Sequence, residues 1–116
     1  MLRLPTFQNI SSKNLFDIEL ELQIIQFTFD YNYRNASFFI SIVDQENNPI
    51  TNVKMVTNWP LFEQIKSHLV FVGDILVLKD DTNAGVEITY DNFGNGWNPY
   101  YLNEAELDQW RLDNGL

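Results

Sequence analysis

From Phe16 onward the chain alternates, with Phe16, Ile18, Leu20 and Leu22 apolar and Asp17, Glu19, Glu21 and Gln23 polar. A period of two is the pattern of a strand with one face in water. At Ile24-Ile25 the parity changes, and Ile25, Phe27, Phe29, Tyr31 and Tyr33 become the apolar set against Gln26, Thr28, Asp30 and Asn32. A one-residue slip sends every side chain to the opposite face, so the change requires a bulge or a hairpin turn. A turn near Glu21-Leu22 is favoured, without strong turn residues at that place. Arg34-Asn35-Ala36 breaks the pattern before Ser37-Phe38-Phe39-Ile40-Ser41-Ile42-Val43, a third strand rich in β-branched and aromatic residues.

Asp44-Gln45-Glu46-Asn47-Asn48-Pro49 has loop chemistry and leads to a fourth strand over 50–57. Asn58-Trp59-Pro60 starts a short helix through Lys66, because Pro60 falls where a missing N–H costs least. Val70-Phe71-Val72 and Gly73-Asp74 precede a buried strand, Ile75-Leu76-Val77-Leu78. Asp80-Asp81-Thr82-Asn83-Ala84-Gly85 is a loop, and Val86, Ile88 and Tyr90 alternate with Glu87 and Thr89 as a further strand. Beyond the turn around Gly94 and Gly96, Pro99-Tyr100-Tyr101-Leu102 is a last strand. The span from Asn103 to Glu106 has capping-box form and opens a short helix ending near Leu112.

About six or seven short strands and little helix predict an all-β fold, a small antiparallel β-barrel or sandwich. The chain divides into 1–14, an extended N-terminal arm with no periodicity, and 15–116, a single β-rich domain ending in the short helix. With 116 residues, 45% of them hydrophobic and 15% aromatic, one domain has enough apolar surface for a core.

Charge narrows the partners. Sixteen acidic against seven basic residues give a net charge of -9, which repels phosphate backbones and anionic headgroups. Direct nucleic-acid binding is therefore disfavoured. The absence of cysteine removes disulfides and thiolate metal sites. The opening Met1-Leu2-Arg3-Leu4-Pro5-Thr6 lacks the apolar run of a signal peptide, and no stretch reaches the roughly 18 apolar residues that span a bilayer, so no membrane association is expected.

Candidate chemistry is sparse. His68 is the sole histidine, which excludes a histidine pair on zinc, and no Gly-x-Ser-x-Gly elbow accompanies it. Asp17, Glu19 and Glu21 share a polar strand stripe, where like charges keep sheets from associating, whereas glycosidase carboxylates must oppose each other across a cleft. Counting from Asp80, Gly85 and Asp91 fall at the sixth and twelfth positions of a calcium loop, but Thr82 and Ala84 stand where Asp or Asn ligands belong. Gly94 and Gly96 lack the partners of a dinucleotide fingerprint or P-loop and read as turn glycines. No catalytic residue, cofactor or metal is assigned, and the expectation is a protein without enzymatic activity.

The aromatics outside the clear alternation are the candidates for contact with other proteins: Trp59, Phe93, Trp97, Tyr100, Tyr101 and Trp110. Such side chains serve either as core or as interface anchors.

The order of blocks along the chain resembles the small baseplate plug proteins, associated with the baseplate hub, of contractile-tailed bacteriophages. The blocks are Phe27-Thr28-Phe29-Asp30-Tyr31-Asn32-Tyr33-Arg34, Phe38-Phe39-Ile40-Ser41-Ile42-Val43-Asp44, Asn48-Pro49-Ile50-Thr51-Asn52-Val53-Lys54-Met55-Val56, Val72-Gly73-Asp74-Ile75-Leu76-Val77 and Asn98-Pro99-Tyr100-Tyr101-Leu102. One departure is the first turn, where Leu20-Glu21-Leu22-Gln23 replaces a glycine-containing turn. The resemblance implies a structural, non-catalytic component of the virion, made in the host cytoplasm and seated at the centre of the tail baseplate. It would plug or line the hub against hub, tube or tape-measure proteins, in several copies around the tail axis, three being one option. An acidic wall would suit that place, because it does not hold passing DNA by phosphate contacts. The competing expectation is a non-enzymatic glycan- or peptide-binding β-module with Trp59, Trp97 and Tyr101 as an aromatic platform.

Overall fold

A computed structural model describes residues 1–6, 13–44, 46, 47, 49–63, 73–80, 88, 89 and 93–115. Seven strands and one helix occur among them: β1 (Leu2–Arg3), β2 (Lys13–Leu20), β3 (Gln23–Asn32), β4 (Ser37–Val43), β5 (Pro49–Lys54), β6 (Asp74–Lys79), β7 (Trp97–Leu102) and α1 (Glu104–Asp113). They form two antiparallel sheets, one in the order β2-β3-β4-β5 and the other β1-β7-β6. The fold is mainly β, and the two sheets do not close into a barrel.

The parity change near Ile24 is a hairpin. Leu20 pairs with Gln23, and Glu21 and Leu22 turn the chain with φ of 52° and 66°. Two successive left-handed residues match the right-handed twist of the flanking strands, which is why such turns usually carry Asn-Gly. In β3 the predicted alternation holds at Ile25, Phe27 and Phe29, which are buried, while Tyr31 is half-buried and Tyr33, past the end of the strand, is exposed. At the end of β3, the Asn32 side chain accepts from the N–H groups of Arg34 (2.9 Å) and Asn35 (3.3 Å), and Ala36 takes a φ of 48° to enter β4. Between β4 and β5 the register shifts at Ile40/Ile42, where Asn52 has a φ of 57° and donates its N–H to the Ser41 hydroxyl at 3.0 Å. This is a bulge, which nothing in the hydrophobic pattern announces.

One core lies between the facing sides of the sheets. Phe27 and Phe29 of β3 and Phe38 and Ile40 of β4 face Ile75 and Val77 of β6 and Trp97 and Tyr101 of β7, and Leu4 and Phe62 complete the cluster. The rings interlock: Phe16 stacks on Phe27 at 5.4 Å and meets Phe29 edge-on at 5.2 Å, and Phe93 meets Phe29 edge-on at 5.4 Å. Complete burial of each such ring stabilises by about 1.5–3 kcal/mol, and aromatic pairs add about 0.5–1.5 kcal/mol beyond their area. The opposite side of the smaller sheet carries Leu76 and Leu102, covered by Leu107 of α1 with Trp110 at the margin.

The first residues do not stand off as an arm. Leu2 and Arg3 pair with Tyr101 and Tyr100, the Leu4 N–H bonds to the Pro99 carbonyl at 2.9 Å, and the Leu4 side chain is fully buried. Too short to show a period, this segment gains order from β7 and from one core leucine. Residues 7–12 of the expected arm lie outside the described residues.

The helix expected from Asn58 does not begin there: 58–62 is turn and irregular backbone, and 3₁₀-helical backbone starts only at Glu63. That segment runs beside β6 instead: Thr57 bridges Val77, the Asn58 N–H bonds to the Val77 carbonyl and the Leu61 N–H to the Ile75 carbonyl, both at 3.0 Å. Asn58 has a φ of 55°, and a single turn closes where the Glu63 N–H meets the Pro60 carbonyl at 3.3 Å. Pairing along β6 supplies the backbone partners a helix would have supplied. The fourth strand stops at Lys54 instead of Thr57. Residues 64–66 of the expected helix, His68, the 70–72 segment and most of the strand around Val86 and Tyr90 lie outside the described residues.

Pro99 sits in the central strand of the smaller sheet, where proline is rare. Its carbonyl points to Leu4, so its nitrogen faces the same side, beyond the end of β1. The missing N–H therefore leaves the β6–β7 ladder intact. The C-terminal helix follows its sequence signature: the Asn103 side chain accepts from the Glu106 N–H at 2.9 Å, and the Glu106 carboxylate accepts from the Asn103 N–H at 3.0 Å.

Candidate functional site

The chemically distinctive part of the molecule is the seam where the two sheets meet. At the β2–β3 turn, the Glu21 carboxylate leaves the polar stripe of its strand and crosses to the other sheet. There its Oε2 accepts from the Tyr101 hydroxyl in a short hydrogen bond and from the Gly73 N–H at 2.9 Å. Burial, followed by the bond to Glu21 and that carboxylate's charge, pushes the Tyr101 phenol well above its ordinary pKa of 10.0. Gly73 admits no side chain, since a Cβ would lie 2.3 Å from the Leu102 carbonyl oxygen and 2.6 Å from the Tyr101 ring. Asp17 and Glu19, in contrast, remain exposed on the outer face.

Asp74, next along the chain, is fully buried. Its Oδ1 accepts from the Phe62 N–H at 3.0 Å and from the Ile75 N–H at 2.7 Å, holding the 57–63 segment against β6. A charged residue placed directly before the apolar run Ile75-Leu76-Val77-Leu78 is the sequence signal for this role, and it is weak.

A polar chain crosses the outer side of the smaller sheet. Arg3 donates to the Asn98 side-chain oxygen at 2.7 Å, the Asn98 amide donates to Asp80 Oδ2, and the Tyr100 hydroxyl donates to the same oxygen at 2.7 Å. Asn98 is buried, so these partners satisfy its amide inside the protein. Burial and the bond to Asp80 raise the Tyr100 pKa as well. The network is structural in form: it joins the ends of β1, β6 and β7. Among the described residues no three His, Cys, Asp or Glu side chains converge as a metal site. The remainder of the loop that begins at Asp80, with its calcium-like spacing, lies outside the described residues.

The six aromatic contact candidates separate by burial. Phe93, Trp97 and Tyr101 belong to the core, with 5%, 2% and 7% of their surface exposed. Their side chains are therefore not open to a partner in this conformation. For Trp97 and Tyr101 the reason is strand register: β7 begins at Trp97 instead of Pro99, so Trp97, Pro99 and Tyr101 face inward and Asn98, Tyr100 and Leu102 outward, whereas Phe93 packs on Phe29 and Phe38. Trp59 is exposed, while Tyr100 and Trp110 are half-buried on the outer side of the smaller sheet. The platform of Trp59, Trp97 and Tyr101 does not exist as one surface, because two of its three members are core.

Fold and site together define a mainly β, two-sheet protein in which the Glu21 carboxylate ties one sheet to the other. The chain belongs to the family described as cyanophage baseplate Pam3 plug gp18, whose model matches residues 1–104. Among the blocks that carried the resemblance, all lie within the matched span, and α1 begins where the match ends. No curated protein matches the sequence significantly. Membership in a phage baseplate plug family indicates a structural protein of the tail baseplate, associated with other baseplate proteins. No helix among the described residues is long and apolar enough to cross a membrane.

Proposed function

We propose that this chain plugs or lines the central hub of a phage tail baseplate and docks there on hub, tube or tape-measure proteins, without catalysing a reaction. The observation that carries the reading is the family match across both sheets, from residue 1 to 104. Two features support it. Glu21 ties the first hairpin to Tyr101 of the other sheet, and the buried Asp74 ties Phe62 to β6, polar bonds that suit a part that must keep its shape under load. The net charge of -9 gives a surface that does not retain DNA passing along the tail axis.

The test is the composition and density of purified tails. Mass spectrometry should find the chain in intact particles, and electron cryomicroscopy should place its two sheets at the axial end of the tube. Particles that lack the chain, or that carry it at the periphery of the baseplate, would refute the reading.

A further inference from the structure

Helix α1 uses one face to cover the smaller sheet and leaves an apolar cleft beside that contact. Met1, Leu102, Ala105 and Trp110 line its apolar part, and Glu106, Gln109 and Asp113 supply its polar margin. Ala105, Gln109 and Asp113 follow one another at helical spacing, and all three are exposed. Met1 has 61% of its surface exposed, and Leu112, on the same helix, 71%. Apolar surface of this kind, rimmed by polar groups, is characteristic of a contact site.

Charge identifies what kind of segment fits. Helix α1 carries Glu104, Glu106, Asp108 and Asp113 against a single cation, Arg111. In the cleft itself the Met1 ammonium is ion-paired with Glu106; Arg111 is paired with Glu63 and Arg3 is engaged by Asn98 and the Gly94 carbonyl, so Glu104, Asp108 and Asp113 are the helix carboxylates that no cation matches among the described residues. The surroundings of the cleft are therefore acidic. A second copy of the chain would bring the same acidic helix and a further charge of -9, so like charges would meet across the contact.

We infer that the cleft beside α1 is a docking groove for a segment of another protein that places one or two apolar side chains between lysine or arginine residues. The apolar side chains fill the space over Ala105 and Leu102 against the edge of Trp110, and the cations meet Glu104, Asp108 and Asp113. Aromatic anchors surrounded by polar groups account for most of the binding energy in such contacts, while charge at the margin sets orientation and association rate. The partner's identity as a baseplate protein rests on the proposed function; its chemistry rests on the groove alone.

A photoreactive benzoylphenylalanine at Gln109, with a second placed at Glu46 in the β4–β5 connection as a control, tests this in purified particles and in lysates of infected cells. Sequencing of the crosslinked peptides should show, at position 109, a segment of a different protein with basic residues flanking apolar ones. Ala105→Arg, which fills the groove with bulk and positive charge at an exposed helical site, should lower that adduct at least tenfold without changing the melting temperature. Asp113→Lys, at the exposed margin, should act in the same direction and serves if the first variant is destabilised. Adducts to another copy of this chain, adducts to a segment without basic residues, no adduct at 109, or yields unaffected by both substitutions would each overturn the proposal. Absence of the chain from particles would refute the baseplate location instead, since the lysate still reports on the groove.

Discussion

The Tyr101 hydroxyl donates a hydrogen bond to Glu21 across the seam between the two sheets, joining residues 80 positions apart in the chain. One partner sits on a strained hairpin turn and the other in the central strand of the opposite sheet. The bond therefore couples the position of the first hairpin to the core that holds Tyr101.

Removing the phenol should weaken this coupling. Tyr101→Phe is expected to destabilise by about 1.5 kcal/mol, the low end for a bond to a charged acceptor because the Glu21 side chain keeps some contact with water. In a cycle with Glu21→Gln, the double variant should lose less than the sum of the singles by about 1 kcal/mol. Urea unfolding of the four proteins measures it, and strict additivity would show that the two groups do not interact energetically.

The same pair makes stability depend on pH at the alkaline end. The folded-state pKa of Tyr101 lies above its ordinary value of 10.0, so the neutral phenol is bound more tightly in the folded protein than in the unfolded chain. Its contribution is complete below pH 10 and is lost as the pH rises from there toward the folded pKa; Tyr100 adds a contribution of the same sign. Urea midpoints recorded from pH 8 to pH 11 should fall above about pH 10. Tyr101→Phe should flatten that fall, and an unchanged slope would argue against the assignment.

Leu22 takes a φ of 66° with 94% of its surface exposed. A leucine there bears left-handed strain and contributes no burial in return. Leu22→Gly should stabilise the isolated protein by about 1 kcal/mol, a rise in melting temperature of about 4 °C. Differential scanning calorimetry would detect the rise, and a loss of stability would mean that the side chain makes a contact its exposure does not reveal.

Two tryptophans should behave in opposite ways. Trp97→Ala removes a core indole and is expected to cost about 3–5 kcal/mol of folding stability, whereas Trp59→Ala at an exposed site should stay within about 0.5 kcal/mol of the parent. Guanidinium unfolding followed by far-ultraviolet circular dichroism distinguishes them. Similar effects at both sites would contradict the burial that separates them.

Leu4→Ala should cost about 2–5 kcal/mol, because its side chain is fully buried in the shared core. Thermal unfolding of the variant checks it. A melting temperature equal to that of the parent would restore the opening residues to a dispensable arm.

What the sequence determined by itself was the local periodic structure. Alternation over 16–22 and again, in the other parity, over 25–33 dictated two antiparallel strands and the side each one buries, because a period of two leaves a strand only one apolar face to hide, and the β-branched and aromatic run 37–43 supplied the third. The reversal of parity pointed to the Glu21-Leu22 turn even though neither residue favours a left-handed backbone, since a bulge or a turn is needed there to keep Ile25, Phe27 and Phe29 inside, and the pairing of Leu20 with Gln23 makes it a turn. The box formed by Asn103 and Glu106 marked the start of α1 through contacts confined to four neighbouring residues. Tertiary structure decided everything whose partner lies far along the chain. Leu4 became core and 58–61 came to lie along β6 because strands β7 and β6 offered them backbone hydrogen bonds that no local pattern encodes. Trp97 and Tyr101 turned inward through the register of β7 against β6, Phe93 packed on Phe29 and Phe38, and Glu21 left its polar stripe because Tyr101 and Gly73, remote in sequence, offered donors within reach. A residue's own periodicity specifies which face it prefers; only the meeting of the two sheets specifies what that face touches.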